Sequence, residues 1–468
     1  MRATGLLYSL LIIALCGIIT IGSNGCGQIG AISGGAKDTL PPVLVDAKPE
    51  PATTNFTGNK ISFSFDEYID ELQDIQANII VSPYPKQTPE FRTKLKTVSI
   101  KLKDSLLPNT TYSINFGSAI KDVNEGNVLK NFTYVFSTGP VIDSMRLSGK
   151  VELAETGKTD STMIVMLYRN AVDSTVEKIK PNYIAFVKGD GSFSFYNLPP
   201  GNFNIYALKD GDGGKTYNSK SELFAFLDKP VTSEKDSTSP VTLYAYAEEK
   251  DIKQQPQAST TTKPKTAAQK KLKYTLSNGG EGQDLRKDLV LQYTSAIKKF
   301  DSSKIILTDT NYVPISGVHY LLDSNKIVLK QAWKEETDYR LIINKTAVTD
   351  STDSTIAKTD TIRFKTKREA DYGNVVLRFN NIDLKKHPVI QFVQQGDIKE
   401  SFAITSQEWR YKLFPPGEYE IRILFDDNNN GRWDPGSYSK KLQPEKVIAL
   451  PKKISIRESW DNESEINL

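Results

Sequence analysis

Leu198-Pro199-Pro200-Gly201-Asn202-Phe203-Asn204-Ile205-Tyr206-Ala207-Leu208-Lys209-Asp210 is the stretch whose reading decides the fold. It follows Gly191-Ser192-Phe193-Ser194-Phe195, where apolar and polar residues alternate. Such period-2 alternation buries one face of a strand and solvates the other, and the Pro-Pro-Gly run is a turn signal. The same arrangement returns at Phe414-Pro415-Pro416-Gly417-Glu418-Tyr419-Glu420-Ile421-Arg422-Ile423-Leu424-Phe425-Asp426, where Gly417 stands 216 positions after Gly201. It again follows an alternating strand, Glu408-Trp409-Arg410-Tyr411-Lys412-Leu413. A period this long is not that of a solenoid, whose repeats are 20 to 50 residues.

Other strands read the same way at Ile61-Ser62-Phe63-Ser64-Phe65, Val98-Ser99-Ile100-Lys101-Leu102 and Tyr112-Ser113-Ile114-Asn115-Phe116. Leu107-Pro108-Asn109-Thr110-Thr111-Tyr112 looks like the tyrosine corner of a sandwich edge. A closing pattern of Asp122-Val123-Asn124-Glu125-Gly126-Asn127 and then Phe136-Ser137-Thr138 recurs 228 positions later, at Asp350 and Thr366. No long amphipathic helical stripe follows the amino-terminal region. The expected fold is therefore all-β: tandem sandwiches in two copies of a two-domain unit. The expected boundaries are 43–140 and 273–368 for the units closing at Asp122 and Asp350, and 143–247 and 371–468 for those turning at Pro-Pro-Gly. Residues 248–272, rich in Lys, Gln, Thr, Ala and Pro, cannot bury enough surface to fold and read as a disordered linker.

Composition narrows the chemistry. The chain has 468 residues, enough for three or four domains, and a net charge of only +4, which argues against a nucleic-acid partner. Two Cys and two His remove most of the raw material for disulfide scaffolds, Cys/His zinc sites and His-dependent catalysis. His319 and His387 have no nucleophile motif beside them, and neither a Walker loop nor a Gly-x-Ser-x-Gly elbow occurs. Gly25-Cys26-Gly27-Gln28-Ile29-Gly30 spells a dinucleotide fingerprint but follows no strand. Asp66 and Glu67, adjacent, would point to opposite faces of a strand and suit a rim.

Residues 1–25, with Arg2 ahead of an apolar run from Leu6 to Ile21, read as a signal peptide, and 26–42 as a flexible tether. Ser23-Asn24-Gly25-Cys26 resembles a bacterial lipobox, which implies lipidation of Cys26; the alternative is an ordinary signal peptide with a stray Cys. Cys16, inside the apolar run behind Leu15, is the weaker candidate.

Ile61 to Phe65 with Asp66-Glu67, the run ending at Tyr112, Asp122 with Asn127, and Phe136-Ser137-Thr138-Gly139 resemble the bacterial Ig-like domains grouped with S-layer proteins. Leu147-Ser148-Gly149-Lys150-Val151, Gly191-Ser192-Phe193 and Leu198 to Phe203 resemble the transthyretin-like, or carboxypeptidase-regulatory-like, sandwiches. With Cys26, Ser33-Gly34-Gly35-Ala36-Lys37-Asp38 and Pro41-Pro42, their order is similar to a family of Ig-like envelope lipoproteins of Bacteroidota. In those bacteria surface export follows acidic residues directly after the lipidated Cys. Positions 27 to 36 carry no charge, so the resemblance implies the periplasmic face of the outer membrane.

One loop has metal-ligand spacing. In Asp426-Asp427-Asn428-Asn429-Asn430-Gly431-Arg432-Trp433-Asp434, the side-chain oxygens of Asp426, Asn428, Asn430 and Asp434 take positions 1, 3, 5 and 9 of a calcium loop, with Gly431 at the sharp turn. Position 12 is Ser437 instead of a bidentate Glu, so a site would need completing from elsewhere; the alternative is an Asn/Gly hairpin turn. The loop at Asp210-Gly211-Asp212-Gly213-Gly214-Lys215 keeps positions 1 and 3 only. Phe193, Phe195, Phe203 and Tyr206 read as core, and Trp433 as exposed. The function expected is that of a non-enzymatic, lipid-anchored envelope protein at the outer membrane, its sandwiches strung as a rod that scaffolds or binds an envelope or outer-membrane protein. The alternative is a carbohydrate-binding envelope lipoprotein, with exposed aromatics in a row for its glycan.

Overall fold

The structure is a computed structural model and describes residues 37–169, 175–235, 240–249, 271–278 and 282–468. The expected signal peptide, Cys26, residues 26–36 of the tether and most of the 248–272 stretch lie outside the described residues. The chain is all-β, and it divides into two compact units. One comprises the chain up to residue 81 with 87–109 and 113–140; the other comprises 82–86, 110–112 and 141–468.

In the first unit, β1 (Leu44–Lys48), β2 (Lys60–Phe65), β4 (Glu90–Lys94) and β5 (Thr97–Lys101) form a sheet in the order β1-β2-β5-β4. β3 (Ile80–Ser82), β6 (Thr111–Asn115) and β7 (Thr133–Ser137) form a second sheet, β3-β6-β7. Alternation does what it predicts: Ile61, Phe63, Phe65, Val98 and Ile100 are buried while Ser62, Ser64 and Ser99 face outward. Phe63 meets Phe116 and Tyr134 edge-on at 5.6 and 5.0 Å between ring centroids. The Asp122 turn is a carboxylate-anchored loop. The buried Asp122 accepts from the N–H groups of Glu125 (2.6 Å), Gly126 (3.0 Å) and Asn127 (2.7 Å). Burial pushes this carboxyl up, and the N–H donors outweigh it and hold it below the usual carboxylate range. Asp66 and Glu67 lie in a bend just past β2, at the rim.

The second unit opens with β8 (Met145–Leu153), β9 (Ile164–Tyr168), β10 (Tyr183–Phe186), β11 (Ser192–Leu198), β12 (Asn202–Leu208), β13 (Phe224–Phe226), β14 (Val231–Thr232) and β15 (Val241–Ala245). They make a three-stranded sheet, β11-β8-β15, with β15 parallel to β8, and a sheet β10-β9-β12-β13 with β14 also on β12. The Pro-Pro-Gly turn is thus a corner that carries the chain from one sheet to the other. Gly201 has φ 142° and its repeat, Gly417, φ 149°, a region reserved for glycine. Phe193, Phe195, Phe203 and Tyr206 are buried, as expected of core residues.

Next come β16 (Tyr274–Leu276), β17 (Leu289–Tyr293), β18 (Ile297–Phe300), β19 (Ile305–Thr308), β20 (His319–Asp323), β21 (Lys326–Lys330), β22 (Asp338–Ile343), β23 (Val348–Asp350) and β24 (Asp360–Lys365). Their sheets, β16-β17-β21-β20 and β19-β22-β24, repeat the two sheets of the first unit, with β18 and β23 paired separately. Asp350 accepts from the N–H groups of Thr352 and Ser354, as Asp122 does in its own turn. The Tyr339 hydroxyl accepts, at 3.5 Å, from the N–H of Lys334 upstream, the bond a tyrosine corner makes. Last are β25 (Gly373–Asn380), β26 (Pro388–Gln394), β27 (Asp397–Ala403), β28 (Glu408–Phe414), β29 (Gly417–Phe425), β30 (Val447–Ala449), β31 (Ile454–Ile456) and β32 (Asp461–Asn467). Their sheets, β28-β25-β32 with β32 parallel to β25, and β27-β26-β29-β30 with β31 on β29, copy the β8–β15 arrangement strand for strand.

Candidate functional site

β29 ends at Phe425 and delivers Asp426 into the loop with calcium-type spacing. Asp426 is buried, accepting from the N–H groups of Asn430 at 3.0 Å and Gly431 at 2.5 Å. Asn429 and Gly431 take positive φ of 59° and 77°, so the backbone curls around that carboxylate. The side-chain amides of Asn428 and Asn430 both donate to one oxygen of Asp434, at 2.5 and 2.6 Å. The four residues picked out by spacing therefore share one loop, with Asp434 bonded to both amides and Asp426 bonded to its backbone.

Glu445 was not picked out. Its two oxygens accept from the N–H groups of Asp427 (3.0 Å) and Asp434 (2.9 Å), clamping the loop from outside it. Burial, with the nearby charges of Asp426 and Asp434, raises its carboxyl above the usual range. It lies beyond any contiguous motif, and no spacing rule points to it. Trp433 is half-buried and not exposed as expected. Its indole N–H donates to the Glu445 carbonyl at 2.8 Å, and its ring packs on Val389, Leu424 and Val447.

In the corresponding first loop, Asp210, Asp212 and Glu222 each offer a carboxylate oxygen within 4.8 Å of the others, a grouping that could hold a metal ion. Here too the third acid arrives from outside the motif. The Lys215 ammonium bonds Asp210 at 2.5 Å and supplies a positive charge that its counterpart, Gly431, cannot.

Past Asp434 the second loop reaches the first Pro-Pro-Gly unit. Tyr438 is buried among rings of that unit, with centroids at 5.2 Å from Phe224, 5.3 Å from Phe226, 5.9 Å from Tyr206 and 6.2 Å from Tyr217. Its hydroxyl donates to that of Tyr206 at 3.3 Å. Glu248 accepts from the Tyr438 N–H at 2.8 Å, the Ser437 hydroxyl at 3.3 Å and the Tyr217 hydroxyl at 3.2 Å. Gln443 donates to the Phe226 carbonyl, and the N–H of Val447 to that of Ala154. Gly436 is required by close approach, since a Cβ there would stand 2.5 Å from the Leu442 carbonyl and 2.6 Å from the Tyr246 ring. The two Pro-Pro-Gly units thus touch directly.

A second junction joins the β16–β24 and β25–β32 regions. Arg286 bridges Asp284 (3.3 Å) and Glu400 (3.1 Å) and lies over the rings of Tyr372 and Tyr411, while the Tyr372 hydroxyl accepts from the Leu285 N–H. His319 and His387 are both exposed. Among the described residues no helix is long and apolar enough to cross a membrane.

Residues 38–138 match the family described as the bacterial Ig-like domain. No curated protein matches the chain. Similar solved structures include the N-terminal part of the bacterial S-layer protein SbsC, at 16% identity and a TM-score of 0.17, covering 41% of this chain and 42% of that one. The chain therefore spans less than half of that fragment. BcpA, the major pilin subunit of Bacillus cereus, is 10% identical with a TM-score of 0.17, covering 69% of this chain and 99% of that one. The Bacillus anthracis TIE protein is 11% identical with a TM-score of 0.18, covering 93% and 76%.

Proposed function

We propose that the chain is a non-enzymatic cell-envelope protein, anchored to the outer membrane through a lipid on Cys26 and facing the periplasm, that scaffolds or binds an envelope or outer-membrane protein. The observation that carries this reading is how its polar groups are used. Glu248 and Arg286 hold one sandwich to another and Asp122 closes a sandwich edge, a use of polar groups that suits a scaffold. In this reading the β8–β15 and β25–β32 regions are transthyretin-like sandwiches, the domain boundaries follow those set out from the sequence, and the whole is an Ig-like envelope lipoprotein of the Bacteroidota kind.

The 426–445 loop would then hold calcium through Asp426, Asn428, Asn430 and Asp434, with Glu445 supplying the carboxylate that Ser437 does not. Labelling with radioactive palmitate tests the anchor: the wild type incorporates label and Cys26→Ser does not, and label retained in that variant refutes it. Crosslinking in cells, followed by identification of the partner, tests the scaffold. Recovery of the monomer alone under several crosslinkers and detergents refutes a partner protein.

A further inference from the structure

The outward face of the β1-β2-β5-β4 sheet has an unusual cross-section. Strand register puts Lys48, Ser62, Ser99 and Arg92 in one row across the four strands. Small hydroxyl residues therefore floor the two inner strands, and long cations stand on the two edge strands. The adjacent row is Lys60, Lys101 and Glu90. The result is a groove of about 690 Å³ lined by Lys48, Lys60, Arg92 and Lys101 against one carboxylate, Glu90.

That carboxylate is committed to Arg92. Lys48 makes a loose pair at 3.4 Å with Asp46, outside the groove. Lys60 and Lys101 face each other directly across an antiparallel pair, an arrangement of like charges that costs stability. Among the described residues Lys60 has no ion pair. Lys60 and Lys101, neither of them in an ion pair among the described residues, thus keep net positive charge beside a hydroxyl floor, and this charge calls for an anion.

We propose that this face binds an acidic polysaccharide, whose anionic groups meet Lys48, Lys60, Lys101 and Arg92 and whose hydroxyls meet Ser62 and Ser99. The span decides against a compact anion. Three inter-strand spacings of ~4.8 Å place Lys48 and Arg92 about 14 Å apart at the backbone, a distance suited to a chain with repeated charges. The floor decides against the other linear polyanions. No aromatic ring lines the groove for bases to stack on, as single-stranded nucleic acid requires. A floor of hydroxyls, with no main-chain donors on the sheet face, favours a polyhydroxylated chain over an acidic peptide, which basic clusters also bind and which poly-L-glutamate tests. The proposal stands apart from the lipid anchor and from any partner protein.

The test uses the full chain in detergent, titrated with polygalacturonate, neutral dextran, poly-L-glutamate and a single-stranded oligonucleotide. Polygalacturonate is expected to bind, more weakly as salt rises, because exposed charges are screened, and dextran is not. The double variant Lys60→Gln/Lys101→Gln is expected to bind about tenfold more weakly, as two lost exposed ion contacts imply. It should melt no lower than the wild type, since the substitution relieves a repulsion. Lys385→Gln/Lys386→Gln, in the other unit, is expected to bind as the wild type does. Failure of polygalacturonate to bind at low salt, or undiminished binding by the Lys60/Lys101 variant, overturns the site. Equal binding of poly-L-glutamate or the oligonucleotide overturns the polysaccharide as its occupant.

Discussion

Tyr438→Ala should separate the two Pro-Pro-Gly units while leaving each folded. The Tyr438 side chain is 4% exposed and surrounded by four rings that belong to the first Pro-Pro-Gly unit. A buried tyrosine removes ~150–250 Å² from water. At ~25 cal/mol per Å² its truncation costs about 4 kcal/mol, within the range seen for large aromatic-to-alanine changes. Tyr206, Phe224 and Phe226 are held in β12 and β13, and Tyr217 is tied to the Val176 carbonyl by its own N–H, so the loss falls on docking. At ~1.4 kcal/mol per factor of ten it weakens the docking equilibrium about a thousandfold. Tyr438→Phe keeps the ring and loses the bond from its hydroxyl to Tyr206, for about 1 kcal/mol. Hydrogen exchange reads the difference directly. The alanine variant should lose protection at the N–H of Tyr438, which donates to Glu248, and at that of Val447, which donates to Ala154. The N–H groups within β12 and β26 should keep theirs. Unchanged protection at Tyr438 and Val447 would refute the clasp, and loss of protection in β12 would show that the residue supports the core instead.

Three further expectations follow from the same geometry. Arg286→Ala leaves Asp284 and Glu400 facing each other without their shared cation and should destabilise that junction by about 2–3 kcal/mol, measured as a lower denaturant midpoint. Asp122, whose folded-state carboxyl is held below the usual range, contributes stability that is present above its unfolded pKa and lost as pH falls through the folded value. Acid unfolding followed by tyrosine fluorescence should therefore show the wild type losing an advantage over Asp122→Asn below about pH 4. Glu445 has the opposite sign: its carboxyl is raised, so the stability linked to it is present below its unfolded pKa and lost as pH rises through the folded one. Millimolar calcium should therefore raise the melting temperature at pH 7 and much less at pH 4, and Glu445→Ala should abolish the rise; a flat calorimetric titration of the full chain ends the calcium reading.

The strands were legible because alternation is a local signal. Phe63 and Phe65 are buried for the reason their spacing suggests, and the Pro-Pro-Gly corner needs the φ that only Gly201 and Gly417 supply. Asp122 and Asp350 were legible as a repeat, and the structure adds the cause, a carboxylate holding N–H groups of the turn that follows it. What was not legible depends on partners distant in sequence. Tyr438 sits in a loop without periodicity, and its cage is assembled from residues some 210 to 230 positions earlier. Glu445 enters its cluster by tertiary approach. The row of Lys48, Ser62, Ser99 and Arg92 exists only once strand order and register are known.

The two Pro-Pro-Gly units share one topology, so their differences show what duplication left free to change. At the loop after the second strand of the corner, the first copy places Lys215 on Asp210, while the second has glycine at that position and leaves Asp426 to backbone donors. A lysine places a fixed positive charge among the three acids of the first loop, whereas no lysine stands there in the second, where burial, and after it the charges of Asp426 and Asp434, raises the Glu445 carboxyl. The same second loop carries Tyr438 into the first Pro-Pro-Gly unit. Any cation that relieved the repulsion would therefore order the segment that makes the clasp, and the calcium response of the melting temperature should fall in Tyr438→Ala because ordering the loop no longer secures a second unit. An undiminished calcium response in that variant would show that loop and clasp act independently.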